Sequence, residues 1–141
     1  MKPIHRRLVP KILVAVALTG LAAGGVSAAD SITLSGDQEV PAVTTSATGT
    51  ATITVNADKS VTGSITTKSI DGIAAHIHLA PVGKNGPPIV PLNKTSDNVW
   101  SVPAGSKLTD EQYASYKAGD LYVNVHSAEH KAGEIRGQLK P

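Results

Sequence analysis

The sequence predicts an all-β protein, an antiparallel Greek-key-like β-sandwich or barrel with one short helix, preceded by a signal peptide. Three observations predict it. Short runs alternate apolar and polar residues with the period of a strand. Turn residues punctuate the chain every few residues. A single segment, opening at Thr109, carries both helix start and helix stop chemistry.

The leader comes first. Lys2, Arg6, Arg7 and Lys11 form a basic head, Ile12 to Ala23 is apolar, and Val26-Ser27-Ala28-Ala29 offers small residues at cleavage spacing. Thr19, Gly20, Gly24 and Gly25 dilute the apolar run. It falls short of the ~20 strongly apolar residues of a membrane anchor, so residues 1–29 read as a cleaved signal peptide. The expected mature domain is residues 30–141, periplasmic or secreted, with no membrane span. Arg6-Arg7 fits the twin-arginine export pattern only partly, so the general secretory and twin-arginine routes both stay open.

The elements then follow in order. Ser31 to Ser35 alternates around Ile32 and Leu34, and Gly36-Asp37-Gln38-Glu39-Val40-Pro41 turns the chain. Ala47 to Val55 and Ser60 to Lys68 form a hairpin across Asn56-Ala57-Asp58-Lys59, with Ala51, Ile53, Val55, Val61 and Ile65 inward and threonines outward. Asp71-Gly72 precedes a strand from Ile73 to Leu79. Its expected inner face is Ile73, Ala75, Ile77 and Leu79. Ala80 to Pro88 is a loop. Ile89 to Leu92, interrupted by Pro91, is an edge strand or extended loop. Asn98 to Val102 is a short strand around Trp100. Thr109-Asp110-Glu111-Gln112 is a capping box, and Gly119 ends the helix. Asp120 to Ser127 and Glu134 to Lys140 are the last strands, joined by a turn over Glu129 to Gly133.

Composition narrows the function. The full chain carries +2. Without the leader's four basic residues, nine Lys+Arg face eleven Asp+Glu, a net of −2. That balance gives no basic surplus for phosphates and excludes nucleic acid as the expected partner. With no cysteine, a thiol nucleophile, a thiolate metal site and lipid attachment through cysteine are excluded. With no Phe and one Trp, the core must be built from Val, Ile, Leu and Ala.

The chemistry concentrates in His76-Ile77-His78 and Asn124-Val125-His126. In a strand, His76 and His78 share a face, ~7 Å apart along the chain. His126 and Arg136 have the same parity, opposite to their strands' apolar residues. This places the group on outer faces, as a surface histidine cluster. Three imidazoles on a rigid sheet can hold copper or zinc. His130, in the neighbouring turn, is a candidate fourth ligand or a solvated side chain. Asn124 is a candidate partner for a ligand ring. Arg136 is either a structural partner of Glu134, Glu129 or a backbone carbonyl, or an anion-attracting group. The competing reading is a set of ordinary surface histidines. Ser127 follows His126 directly, so the two point to opposite faces and do not form a nucleophile and base. No catalytic residue is expected.

Two resemblances add to this. Ala75-His76-Ile77-His78-Leu79-Ala80 with Asn85-Gly86-Pro87, Tyr122 to Ser127 with Gly133 to Leu139, and Leu34 to Pro41 resemble the CHRD domain, the module named after chordin. The resemblance spans about Ile32 to Leu139. It implies an extracytoplasmic β-sandwich, and in animals the module occurs in secreted antagonists of growth factors. Ala80 stands where that family often has glycine, and His130 replaces a variable loop residue. More distantly, His76-Ile77-His78 is similar to the His-x-His strand of copper–zinc superoxide dismutases. By that likeness His126 would stand for a later copper ligand and Arg136 for an anion-guiding arginine. The zinc-binding loop and disulfide of those enzymes have no counterpart here.

The expectations are therefore three. The first is an exported protein binding copper, or zinc, through His76, His78 and His126, in metal handling or weak redox chemistry. The second is a non-catalytic module using the same face to bind an envelope or extracellular protein or a polymer. The third, lowest, is a dismutase.

Overall fold

The computed structural model describes residues 30–141; the leader expected over residues 1–29 lies outside them. Nine strands form one antiparallel sheet: β1 (Ser31–Ser35), β2 (Thr48–Val55), β3 (Val61–Lys68), β4 (Gly72–Leu79), β5 (Pro88–Pro91), β6 (Asn93–Ser96), β7 (Val99–Ser101), β8 (Leu121–Ser127) and β9 (Ile135–Gln138). Their order across the sheet is β5-β4-β8-β9-β1-β2-β3-β7-β6.

The two end strands are neighbours in the chain. Only Leu92 separates β5 from β6, and its N–H donates to Ala75 O on β4 at 3.0 Å. Lys94 Nζ, on β6, reaches Gly72 O at 2.8 Å. One extended segment thus touches both ends of the sheet and brings it to a nearly closed barrel. This solves the edge problem that open sheets carry. The expected edge strand is β5. The sequence reading did not anticipate β6, because its four exposed residues Asn93-Lys94-Thr95-Ser96 have no apolar alternation.

The barrel interior is built from the inward residues of the alternating runs. Leu34, Ile65, Ile77, Val123, Val125 and Ile135 are fully enclosed, with Trp100 beside them. Burying each such branched side chain contributes about 1.5–3 kcal/mol, so a core without Phe or disulfides is adequate. Ile73 departs from expectation. The β4–β8 register shifts between Gly72 and Ala74, and this irregularity turns Ile73 outward, leaving it 56% exposed.

The α-helix among the described residues, α1 (Asp110–Lys117), starts as expected. Gln112 N–H donates to Thr109 Oγ1 at 3.1 Å, and Thr109 N–H donates to Gln112 Oε1 at 2.9 Å. Gly119, at φ +84°, ends it. Among the described residues no helix is long and apolar enough to cross a membrane.

Strand β8 differs from the hairpin strands in being buried on both faces. Leu121, Val123 and Val125 face the barrel interior. Tyr122, Asn124 and His126 face outward, yet remain covered. Three segments cover them: the loop between β4 and β5, the stretch after β1 around Glu39, and the turn between β8 and β9. Asn85 Nδ2 ties the first two together by donating to Val40 O at 2.8 Å. Gly86 allows the loop to lie down on β4, since a side chain there would fall 1.8 Å from Leu79 O.

Candidate metal centre

His76 and His78 on β4, and His126 on β8, do converge. One ring nitrogen from each lies within 4.8 Å of those of the other two. The sheet explains why. His76 pairs in register with Asn124, and Ala74 with His126, so His126 is the diagonal neighbour of His76 on the same face. His76 Nδ1 stands 3.0 Å from His126 Nε2. Metal–nitrogen bonds of about 2.0–2.1 Å at tetrahedral angles separate two ligand nitrogens by about 3.3 Å. His76 and His126 therefore already stand close to the spacing of two ligands on one ion.

The centre is not the surface cluster that strand parity implied. His78 and His126 are buried and only His76 is half-exposed. Parity correctly separates these residues from the apolar interior, but it cannot show that loops roof the polar face.

Burial fixes the tautomers. His78 Nδ1 lies 2.9 Å from Gly86 O, and His126 Nδ1 lies 2.8 Å from Lys131 O. A carbonyl oxygen only accepts, so both Nδ1 atoms carry hydrogen. In each neutral ring the lone pair is then on Nε2. For His126 it meets His76 Nδ1. For His78 it meets nothing: Nε2 is buried without a hydrogen-bond partner. A ligating histidine characteristically donates its other N–H to a carbonyl or carboxylate, which aims the free nitrogen at the ion. Two of the three rings have that arrangement already.

The environment also favours the neutral, ligating form. Burial, reinforced by the nearby His126, pushes the His76 imidazole below its usual pKa. Burial does the same to His78, against the opposing hydrogen bond to Gly86, with His126, His76 and Arg136 adding repulsion.

Behind the histidines lies a second buried layer. The His78 ring stacks on Tyr122 at 4.8 Å, and Arg136 lies over the Tyr122 ring, its Cζ 3.8 Å from the centroid. Arg136 Nε donates to Glu39 Oε2 at 3.0 Å, Nη1 to Lys84 O at 2.9 Å, and Nη2 to Asn85 Oδ1 at 2.5 Å. Its carboxylate partner is thus Glu39, not Glu134 or Glu129, while the expected backbone carbonyl is present. Glu134 is taken by Thr45, whose hydroxyl donates to Oε1 at 2.6 Å. Burial pushes the Glu39 carboxyl up, and Arg136 and Asn124 pull against it. With its donors on all three nitrogens engaged and only 3% of its surface exposed, Arg136 is not presented to anions from solution. Its position suits bracing the loop and Tyr122.

Asn124 Nδ2 donates to Glu39 Oε1 at 3.3 Å and to Ala132 O at 3.5 Å. It thereby holds the turn that supplies Lys131 O to His126. Gly133, at φ +127°, makes this contact possible, because a Cβ there would lie 2.4 Å from both Asn124 Nδ2 and Glu39 Oε1. His130 is not brought into the centre. Its backbone organises the same turn, with N–H donating to Ser127 Oγ and C=O accepting from Gly133 N–H. The three-histidine group forms without its ring.

Sequence reading missed Glu39, Tyr122 and the loop carbonyls. Glu39 stands in a stretch that reads locally as a turn, and its burial beside Arg136 joins residues 97 positions apart. Tyr122 shared the histidines' parity, which was the available clue. A backbone carbonyl leaves no trace in residue type.

No curated protein and no solved structure shows a significant match to the chain. The CHRD domain profile matches residues 31–139, nearly all of the described fold. It includes the three histidines, the turn that orients His126 and the Glu39–Arg136 pair, and the chain belongs to the CHRD domain family.

Proposed function

We propose that this CHRD domain is an exported, extracytoplasmic copper-binding protein. His76, His78 and His126 are the ligands, and the role is metal handling or weak redox chemistry. The observation that carries this reading is His78 Nε2, a buried lone pair without a partner inside a cluster of three imidazoles. Burying an acceptor unpaired is costly, and a cation removes that cost. The donor set is all nitrogen, which suits both copper and zinc, and the affinity order places Cu(II) above Zn(II) for such ligands. An oxidising compartment outside the cytoplasm adds to the case for Cu(II).

Bound copper would supply one-electron chemistry. The chain's own contribution is to fix the rings. Gly86 O and Lys131 O hold the His78 and His126 tautomers, Tyr122 limits rotation of His78, and the loop from Ala80 to Pro87 shields the pair from water. A dismutase reading gains nothing from Arg136, which is enclosed with its donors engaged.

The test is titration of the mature protein with Cu(II) and Zn(II), followed by metal analysis after desalting. One copper per chain is expected, with zinc bound more weakly. Undiminished copper in the triple variant His76→Ala, His78→Ala, His126→Ala overturns the site. A wild type that binds no metal leaves the non-catalytic binding module as the function of this domain.

A further inference from the structure

Asn124 Oδ1 is a second buried acceptor on the same face that has no hydrogen-bond partner in the protein. The side chain is wholly enclosed, and its orientation is settled by its neighbours. Glu39 Oε1 and Ala132 O both lie on one arm of the amide, and both are acceptors. That arm must be the nitrogen, so the other is the carbonyl oxygen. The two arms diverge. On the sheet, Asn124 pairs with Arg136 of β9 on one side and with His76 of β4 on the other. Glu39, which takes the nitrogen, sits with Arg136. His76 is the cross-strand partner of Asn124 on β4, so the amide with its unpaired oxygen shares a face with the His76 ring.

Three-ligand metal sites keep a fourth position for water or an incoming molecule. A water molecule on a cation is a strong donor and a poor acceptor, so it needs an acceptor beside it. The histidines cannot provide one, because each lone pair is directed at the ion. Asn124 Oδ1 is neutral, buried and unpaired, on the cross-strand partner of His76.

Building on the three-histidine reading, we infer that Asn124 is a positioning residue whose Oδ1 accepts from a water molecule in the fourth position of the centre. The ligands this position takes in exchange are small anions or neutral donors. Those lacking an N–H or O–H for Asn124, azide among them, bind at a disadvantage, since they displace a hydrogen-bonded water without replacing its bond.

The experiment uses the mature protein loaded with Cu(II), after copper content has been measured for every variant. The wild-type electron paramagnetic resonance spectrum should broaden in 17O-enriched water. Azide, followed by its charge-transfer absorbance, should bind Asn124→Ser about fivefold more tightly than wild type, the usual net worth of one neutral hydrogen bond. Gly83→Ala is the control for a merely structural role, because it strains the neighbouring loop without a clash and leaves the contacts of Asn124 in place. Its azide affinity should stay within about twofold of wild type, less than one hydrogen bond. Copper bound in full without 17O broadening in the wild type overturns the inference while sparing the copper site. So does equal azide affinity in Asn124→Ser and wild type, or an equal shift in both variants. A wild type that takes up no copper overturns the inference together with the site. The 17O measurement needs no variant, so poor folding of Asn124→Ser does not shelter the proposal.

Discussion

His76 Nδ1 and His126 Nε2 lie 3.0 Å apart on neighbouring strands, and the carbonyl behind His126 sets the hydrogen-bonding role of both rings. Lys131 O holds the hydrogen of His126 on Nδ1, so in the neutral pair the bond between the rings is donated by His76. The metal-free centre is thus closed by one N–H···N bond, and for Nδ1 to become a ligand His76 must move that hydrogen to Nε2. It is also the half-exposed one of the three.

Removing single rings should rank the ligands. His126→Ala and His76→Ala each remove one of three donors, and copper affinity should fall by more than the roughly 10–100-fold typical of losing an outer partner. His130→Ala should leave affinity within about threefold, under 1 kcal/mol and less than one hydrogen bond, because its ring stands outside the group. Competition titration against a chelator of known affinity measures all three. A His130→Ala loss matching His126→Ala would place the ion elsewhere.

The pH dependence has a definite direction. Burial holds the His76 and His78 imidazoles below their ordinary pKa. Copper affinity should therefore be level above about pH 6.5 and decline only below it, starting at lower pH than for free imidazole. In the metal-free protein these two rings act on stability with the same sign. Each binds its proton more readily in the unfolded chain. Their contribution is complete above about pH 6.5 and is lost as pH falls through the depressed folded values. Urea unfolding at a series of pH values checks the second statement. An affinity unchanged from about pH 7 to about pH 4 would remove imidazole from the ligand set.

The fold and the histidine cluster were legible because both rest on short-range patterns. Alternation in Thr48–Val55 and Val61–Lys68 gives the hairpin register, and the parity of His76, His78, His126 and Arg136 puts them on one face. The roof over that face was not legible. It depends on Gly86 packing back against Leu79, and on Asn85 meeting Val40 and Arg136 meeting Glu39, the last two being contacts between segments far apart in the chain. Local pattern marks a side chain as facing away from the core. Whether a loop then covers it is decided by tertiary contacts that alternation does not encode, and the same limit hid Ile73, which a register shift turns outward.

The Glu39–Arg136 pair should behave as a buried ion pair. Both side chains are almost fully enclosed. Arg136→Met leaves a carboxylate buried without its counter-charge and should destabilise the domain by about 3–5 kcal/mol. The double variant Glu39→Met, Arg136→Met removes both charges, and its stability should recover a large part of that loss. Arg136→Met should also raise the Glu39 pKa further, since the guanidinium is what opposes the effect of burial. Chemical denaturation of the four corners of the cycle gives the coupling. Strict additivity would mean that the two charges do not depend on each other.

Gly86 offers the sharpest separation between the loop's fold and the centre's chemistry. A Cβ at this position would fall 1.8 Å from Leu79 O and 2.7 Å from Leu79 C, so Gly86→Ala must lift the loop from β4. Lifting it withdraws the acceptor of His78 Nδ1 and the partner of the Tyr122 hydroxyl together. His78 then loses the bond that aims Nε2, and copper affinity should drop by about 10–100-fold, the range for an outer partner. Gly83 is the matched control in the same loop. It has φ +78° and open space around its Cβ position, so Gly83→Ala introduces backbone strain without a clash. That strain should cost about 1 kcal/mol of stability and leave copper affinity unchanged. Measuring denaturation midpoints and copper affinity side by side distinguishes the two. If Gly83→Ala and Gly86→Ala weaken copper equally, the loop acts on the centre through its general stability, and the carbonyl of Gly86 has no specific part in orienting His78.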